Sequence, residues 1–366
     1  MNEIIHDRIR GSLLAGAAGD ALGYRVEFIS HAAIVSEFGM YGIRAYAPRE
    51  GQAEAVISDD TQMTLFTADG ILAHAADMAG RGPKAARAQY VHRAYQDWYG
   101  TQFGKKLRES DSFLLGEAKL HAARAPGNTC MSAIAGGRMG TIDRPVNKSK
   151  GCGGVMRVAP LGLLAGAQLN DRLCVEGAQL AAITHGHPLG YIPAAMLTHI
   201  VARAAYRQEE ALTLEDVVRE SVDMAERMFD DMPGYGRAVT LVNRAIRLAK
   251  NDRCDVDNLA EIGEGWVGEE ALAVAVYCCL RYPDDISAAL AAAVNHDGDS
   301  DSTGAISGNI LGAWIGYEAI PAQWKQGLEL SGLVLEVADD LFTGAQMLQG
   351  APAPAAFMEK YGGRRM

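Results

Sequence analysis

The chain has 366 residues, 49% of them apolar, which is enough for one large domain or two ordinary ones and for a sizeable buried core. Its 34 basic and 45 acidic residues leave a net charge of −11, which argues against a general nucleic-acid or anionic-membrane binder but not against a small anion held by backbone amides. No run of about 18 apolar residues marks a transmembrane helix, the first residues lack the basic and apolar regions of a signal peptide, and six scattered cysteines with no C-x-x-C pair point to a reducing cytoplasm.

Alanine is abundant and alternating β-branched runs are scarce, so the pattern predicts an almost wholly helical chain. The first helix is expected over Ile9–Leu22, rich in small residues. Near its end stands Gly19-Asp20-Ala21-Leu22-Gly23, with Glu27 seven residues beyond Asp20. That spacing puts both acids on one face if the helix persists; otherwise Gly23 stops it and Glu27 is a surface residue. Ser58-Asp59-Asp60-Thr61 opens a second helix, Thr61–Ala79, apolar on most sides, with Ser58 or Asp59 as its N-cap. Helices are then expected over Ala85–Trp98, Asp171–Ile183, Leu189–Tyr206, Leu214–Phe229 and Arg237–Leu248. Glu269–Leu280, whose Cys278 and Cys279 read as core, Ile286–Val294, Ser302–Ile315 and Leu333–Leu348 complete the set. Asp301 or Ser302 is the expected cap of the helix that begins near Thr303. Breaks fall at Gly39–Gly51, Ala125–Thr129, Asn147–Gly154 and Gly263–Gly268. None resembles an interdomain linker, so residues 1–350 are expected to form one all-α domain, with 351–366 as a short, loosely held tail.

Two segments carry most of the chemistry: Ser58-Asp59-Asp60-Thr61 and Asp297-Gly298-Asp299-Ser300-Asp301-Ser302-Thr303. Crowded carboxylates repel and resist ionisation. A hard cation relieves that repulsion, and carboxylate and hydroxyl oxygens suit Mg²⁺, Mn²⁺ or Ca²⁺. If the two segments meet in space they make a site for one or two divalent ions, and hence for hydrolysis by activated water. Each segment has a plainer reading, as an acidic first turn favoured by the helix dipole or as a solvated acidic turn. An EF-hand fails, because Ser302 and Gly308 stand where that loop needs Gly and Glu. Asp299-Ser300-Asp301-Ser302-Thr303 mimics the D-x-D-x-T of aspartyl-phosphate phosphatases, but it precedes a helix late in the chain rather than following an early strand. Ser149-Lys150-Gly151-Cys152-Gly153-Gly154 allows an anion-binding nest or a simple turn; it is not a P-loop. Thr184-His185-Gly186-His187-Pro188 has no matching ligand pair for zinc, so a His lining a ligand pocket or closing a helix end is expected. No nucleophile elbow, Rossmann fingerprint or kinase motif is present.

Taken in order, Gly16–Glu27, Ser58–Thr64, Gly127–Thr129, Gly151–Pro160, Thr184–Tyr191, Gly265–Leu280 and Asp297–Gly312 resemble the ADP-ribosylglycohydrolase family, which includes the dinitrogenase reductase-activating glycohydrolase and the ADP-ribosylarginine and ADP-ribosylserine hydrolases. The resemblance implies a single orthogonal helical domain with a two-metal centre, Mg²⁺ or Mn²⁺, at the bottom of an ADP-ribose cleft. It implies metal ligands at Ser58, Asp59, Asp60, Asp299, Asp301 and Ser302, and a general base at Glu27, Asp60 or Asp301. It implies substrate contacts at Asp20, at Gly127, Asn128 and Thr129, at Ser149, Lys150, Gly151, Cys152, Gly153 and Gly154, and at His185. Cys152 stands where many relatives carry Asn, and Ser58 and Ser302 where they commonly carry Thr. The expected partner is an ADP-ribosylated protein, most simply one modified on arginine, with no nucleic acid and no membrane. Another ADP-ribose linkage, or a silent binding relative, are the alternatives.

Overall fold

Glycine and alanine let helices approach until backbone meets backbone, and this chain places them where its longest contacts form. In the computed structural model, which describes residues 2–80, 82–104, 109–209 and 211–364, the order is α1 (Asn2–Tyr24), α2 (His31–Phe38), α3 (Asp59–Ala79), α4 (Arg87–Phe103), α5 (Asn128–Ala135), α6 (Ala159–Ala165), α7 (Asp171–Ala182), α8 (Pro188–Tyr206) and α9 (Leu214–Phe229). There follow α10 (Tyr235–Leu248), α11 (Asp255–Ile262), α12 (Gly268–Arg281), α13 (Ile286–Val294), α14 (Ser300–Ile315), α15 (Ala322–Lys325), α16 (Ser331–Leu348) and α17 (Ala355–Tyr361). Among the described residues there is no strand, only two isolated bridges, Ala55 with Leu328 and Gly151 with Val267. No described helix is long and apolar enough to cross a membrane.

The centre of the fold is α1 lying antiparallel on α14. Four levels of small residues meet along it: Gly11 with Gly312, Ala15 with Gly308, Gly19 with Gly304, and Gly23 with Ser300. A Cβ placed at any of those glycines would come within 3.0 Å of backbone across the contact. Both helices are therefore buried along most of their length, and the C-terminal end of α1 is clamped against the N-terminal end of α14. α3, buried from Asp59 to Asp77, and the Pro193-containing α8 complete the interior.

All eleven helices expected from periodicity are present. α2, α5, α6, α11, α15 and α17 were not anticipated; none exceeds eight residues, too short for a period to register. The α3 cap is Ser58, whose hydroxyl accepts from the Asp60 amide at 3.1 Å. The α14 cap is Asp299, two residues earlier than Asp301 and three earlier than Ser302, its carboxylate accepting from the Ser302 amide at 3.3 Å. The expected break at Ala125–Thr129 is instead the entry to α5, capped by Gly127. In the segment read as a loose tail, 351–366, Phe357 and Tyr361 are buried, and Arg364 donates to Asp69 at 2.7 Å; residues 365 and 366 lie outside the described set.

Candidate active site

The α1–α14 clamp sets the Asp20–Glu27 segment beside Asp299–Asp301, and one buried carboxylate, Asp20, brings in Ser58–Thr61. Asp20, near the end of α1, accepts from the Ser58 amide and the Thr61 amide, each at 3.0 Å, and from the Thr61 hydroxyl. It thereby satisfies amides at the start of α3, which have no partner within the helix. Burial pushes its carboxyl up to about 6, and the hydrogen bonds from Thr61 and Ser58 work against that rise. Asp20 therefore lies behind the cleft as a brace for α3, not along its lining where a substrate contact was expected.

Glu27 reaches the cleft by a different route from the one expected. The helix does not persist to it; α1 ends at Tyr24 and a turn, Val26 amide to Gly23 carbonyl at 2.8 Å, swings Glu27 inward. Glu27, Asp59, Asp60, Asp299 and Asp301 then line one open cleft of about 200 Å³. Two overlapping triads form, Glu27 with Asp299 and Asp301, and Asp59 with Asp60 and Asp301, each with one oxygen per residue lying within 4.8 Å of the others. Glu27 Oε2 and Asp60 Oδ2 are buried with no hydrogen-bond partner. Burial first, then repulsion from Asp301 and Asp59, pushes Glu27 up to about 10. Burial first, then the neighbouring carboxylates, raises Asp59, Asp60 and Asp301 well above the carboxylate range, and burial raises Asp299 to about 6. Such a cluster is stable with ionised acids only beside a compensating charge. Orphaned oxygens converging at this separation, all hard donors, fit a divalent ion. Ser302 lines the cleft beside them, whereas the Ser58 hydroxyl is engaged as the α3 cap.

The facing wall carries no acid. It comprises Ala125 and Gly127 from the turn before α5, Asn128, Thr129 and Cys130 from its first turn, then Gly151, Cys152, Gly153, Met156, His185 and Trp266. Ala125 holds a left-handed backbone at φ 54°, a conformation costly for a residue with a Cβ. Gly127 donates its amide to Asp59 Oδ2 at 3.2 Å, which joins the two walls. The glycine-rich turn is not a free nest throughout: Ser149 Oγ takes the Gly151 amide at 3.3 Å and the Trp266 carbonyl takes the Cys152 amide at 3.2 Å. Cys152 donates its thiol to Asp299 Oδ2 at 2.7 Å, tying this turn to the acidic wall. Of the expected contacts, Ser149, Lys150 and Gly154 do not line the cleft. Ser149 bonds Thr129 at 3.0 Å, Lys150 reaches Glu269 at 3.1 Å, and Gly154 is packed against the Gly190 carbonyl. Of the two histidines, His185 faces the cleft while His187 caps α8 by accepting from the Leu189 amide at 3.0 Å.

Ala125, Cys130, Met156 and Trp266 were not anticipated. The signal available for Trp266 was its place just after two glycines: Gly263 and Gly265 have positive φ, and the loop they shape is pinned to Asp299 through its amide and the Glu264 carbonyl, at 2.8 Å. A larger cavity of about 480 Å³ lies elsewhere, lined by Asn2, Tyr206, Gln208, Gln346 and Gln349 among others, with no carboxylate. The chemistry belongs to the smaller cleft.

Comparison with known proteins was consistent along the chain. A family model described as ADP-ribosylglycohydrolase matches residues 1–351. The chain is 25% identical to the Homo sapiens protein named ADP-ribosylhydrolase ARH3, covering 88% of this chain and 89% of that one. It is 26% identical to the ADP-ribosyl-[dinitrogen reductase] glycohydrolase of Rhodospirillum rubrum, covering 89% and 92%. A solved structure titled "ADP-ribosylglycohydrolase-related protein complex" superposes with a TM-score of 0.61 at 20% identity, over 94% of this chain and 99% of that one, a likeness of fold.

Proposed function

The chain belongs to the ADP-ribosylglycohydrolase family, and from that premise we propose that it is a divalent-metal-dependent hydrolase that removes ADP-ribose from modified protein side chains, with arginine-linked ADP-ribose as the first substrate. The observation that carries the proposal is the convergence of five buried carboxylates, from three separate segments, onto one wall of a cleft whose other wall is neutral and rich in glycine. Ions held by Asp59, Asp60 and Asp301 and by Glu27, Asp299 and Asp301, with Ser302 beside them, would supply Lewis-acid polarisation and an activated water.

The residues of the chain do the rest. Water attacks C1″ of the ribose as the bond from C1″ to the side-chain nitrogen breaks; a carboxylate takes the water's proton and hands it on to the departing nitrogen, so the side chain leaves with its N–H restored. Glu27 and Asp60 are the acids whose unpartnered oxygens suit them to take that proton, with Asp301, shared by both triads, as the third candidate. The carboxylate array also faces the positive charge that develops on the ribose as the bond opens. Orphan amides at the start of α5, together with the Gly153 amide, are suited to the anionic part of the ligand. Arginine and other linkages differ only in the departing group, and the two named relatives stand at nearly equal identity, so the linkage is decided by assay.

The test incubates the protein with arginine-linked and serine-linked ADP-ribosylated proteins, with Mg²⁺ or Mn²⁺ and then with EDTA. Metal-dependent release of ADP-ribose from the arginine conjugate supports the full proposal. Release from the serine conjugate alone keeps the hydrolase and replaces the linkage. Absence of release from both, with ADP-ribose still bound in calorimetry, favours a silent binding relative.

A further inference from the structure

Beneath the neutral wall, Arg157 is fully buried, with none of its surface exposed, and pairs with no carboxylate among the described residues. A guanidinium in that position is costly unless something holds it. Its neighbours are neutral: the Tyr95 ring, 4.4 Å from Cζ, the Cys130 sulfur at 3.2 Å, the Met63 sulfur at 3.5 Å, and the Thr184 hydroxyl at 2.7 Å. Nε has no partner. The strongest of these contacts is to Thr184, and it continues: Thr184 Oγ1 lies 2.9 Å from His185 Nδ1.

The direction of that second bond follows from counting protons. Arg157 can only donate, so it occupies a lone pair of the Thr184 oxygen. Thr184 has one proton left to give. The alternative acceptor, the Cys130 sulfur, is weak and already accepts from Arg157, whereas an imidazole nitrogen is a good acceptor. The hydroxyl therefore donates to Nδ1, and the proton of the neutral ring must sit on Nε2. Burial, helped by the Arg157 charge, pushes the imidazole down to about 3, so the ring is neutral near pH 7. Nε2 makes no hydrogen bond to a described residue, and it lies 3.3 Å from where a Cβ would stand on Gly151 or on Gly153. It thus lies against the glycine turn of the cleft.

We propose that Arg157 is a positioning residue that acts through Thr184 to fix His185 in the Nε2–H form, a neutral hydrogen-bond donor aimed at an anionic oxygen of the ligand beside Gly151–Gly153. The choice of ligand, ADP-ribose and so a diphosphate oxygen, rests on the proposed function; the relay itself does not. A neutral donor suits this wall because it holds the anion without placing a second cation beside the metal-binding wall. Thr184 is thus a polarity switch: with the hydroxyl removed, nothing decides which nitrogen carries the proton.

The relay is read directly from long-range ¹H–¹⁵N spectra of the intact protein labelled at histidine, with His185→Phe assigning the signal. The expected wild-type pattern is the pure Nε2–H form. Thr184→Val is expected to give a mixture of tautomers, and Thr184→Ser to restore the pure form. A wild-type ring protonated on Nδ1, or a Thr184→Val spectrum identical to wild type, overturns the relay whatever the ligand. ADP-ribose titration by calorimetry is the second arm. Thr184→Val is expected to weaken binding about tenfold or more, as for a lost hydrogen bond to a charged acceptor, with KM rising more than kcat falls, and Thr184→Ser is expected to recover it. Equal affinity in Thr184→Val overturns the donor role. No ADP-ribose binding by wild type overturns the choice of ligand and the proposed function with it, and the spectrum still decides the relay. Arg157→Met is run beside these, and the Thr184 pair keeps the test decisive if it does not fold.

Discussion

The two walls of the cleft solve opposite problems. The acidic wall gathers Glu27, Asp59, Asp60, Asp299 and Asp301, all buried, and leaves oxygens of Glu27 and Asp60 without partners. The neutral wall carries no acid; its polar groups are backbone amides, an imidazole held uncharged, and the start of α5. One wall stores unfavourable electrostatics; the other stores none and keeps donors free for a ligand. The contrast teaches where to expect loss of turnover and where to expect loss of binding, and it shows that the acidic wall is held in place by the rest of the fold against its own repulsion.

The largest effect should come from removing one charge from the acidic wall. Asp60→Asn and Asp301→Asn are each expected to lower kcat by about 10²- to 10⁴-fold, the range for loss of a proton-transfer group. In the metal-free protein at neutral pH the same changes should leave the melting temperature unchanged or raise it, because each replaces a buried acid that burial and its neighbours keep from ionising with an amide that never ionises. Steady-state rates and thermal melts with EDTA check both halves. Full activity in either variant would remove that residue from the mechanism, and a large loss of metal-free stability would mean the carboxylate is structural.

A change on the facing wall should behave differently. A Cβ on Gly153 would stand 3.0 Å from the Cys130 sulfur and 3.1 Å from His185 Cε1, closer than such contacts normally come. Gly153→Ala is therefore expected to push the imidazole toward the ligand space and weaken ADP-ribose binding by about tenfold, on the order of the 1–3 kcal/mol of a modest overpacking. Metal affinity should be unaltered. Calorimetry with ADP-ribose and then with Mn²⁺ separates the two, and a matching loss of metal affinity would break the distinction between the walls.

How much of this contrast was legible in the sequence follows the same division. The acidic wall announced itself, because Asp59-Asp60 and Asp299-Ser300-Asp301 are local clusters that a plain helix start does not need. The long helices were legible from their period. What stayed hidden depends on non-local geometry. Asp20 looked like a cleft residue by proximity to Glu27, but helix α1 aims it at the amides of Ser58 and Thr61. Lys150 and Ser149 sit in the expected loop but do not line the cleft: Lys150 turns to Glu269, and Ser149 is held by Thr129 of the neighbouring wall. Trp266 arrives through two glycines of positive φ, and Arg157 is an arginine in an apolar run with nothing local to show that it would be buried. Short-range signals could not have fixed these positions, because each is set by a partner far away in the chain.

The acidic wall also dictates a pH dependence. Ordinary carboxyls in the unfolded chain titrate near 4, whereas the folded protein raises Asp299 to about 6 and Glu27 to about 10. The native state then binds more protons than the unfolded state across that interval, so its stability falls as pH rises. Any stabilisation from these neutral acids is fully present below about pH 4 and lost progressively through pH 6 and upward. Thermal melts in EDTA from pH 5 to 8 are expected to show this downward slope, and saturating Mn²⁺ to reduce or reverse it, since the ion binds the deprotonated set. Asp60→Asn should flatten the metal-free slope. A metal-free protein that gains stability over the same range would mean that the wall is not electrostatically loaded.

The smallest effect tests whether the neutral wall extends beyond ADP-ribose. Trp266 lines the cleft and is 40% exposed, and its ring stacks at 6.3 Å and 22° on Phe28, which is 68% exposed and follows Glu27 in the chain. Trp266 belongs to the neutral wall and Phe28 follows an acid of the other, so this exposed pair is positioned to meet the protein part of a substrate. The backbone carbonyl of Trp266 holds the Cys152 amide and survives truncation of the ring, so Trp266→Ala removes the rim without dismantling the turn. An exposed aromatic contact, with or without a cation, is worth about 0.5–1.5 kcal/mol, so KM for a modified protein should rise about three- to tenfold, with kcat and free ADP-ribose affinity unchanged. If the free ligand weakens equally, the ring belongs to the ADP-ribose site and the neutral wall reaches the rim. If only the protein substrate weakens, recognition divides between an inner part that holds the nucleotide and an outer aromatic part that holds the protein.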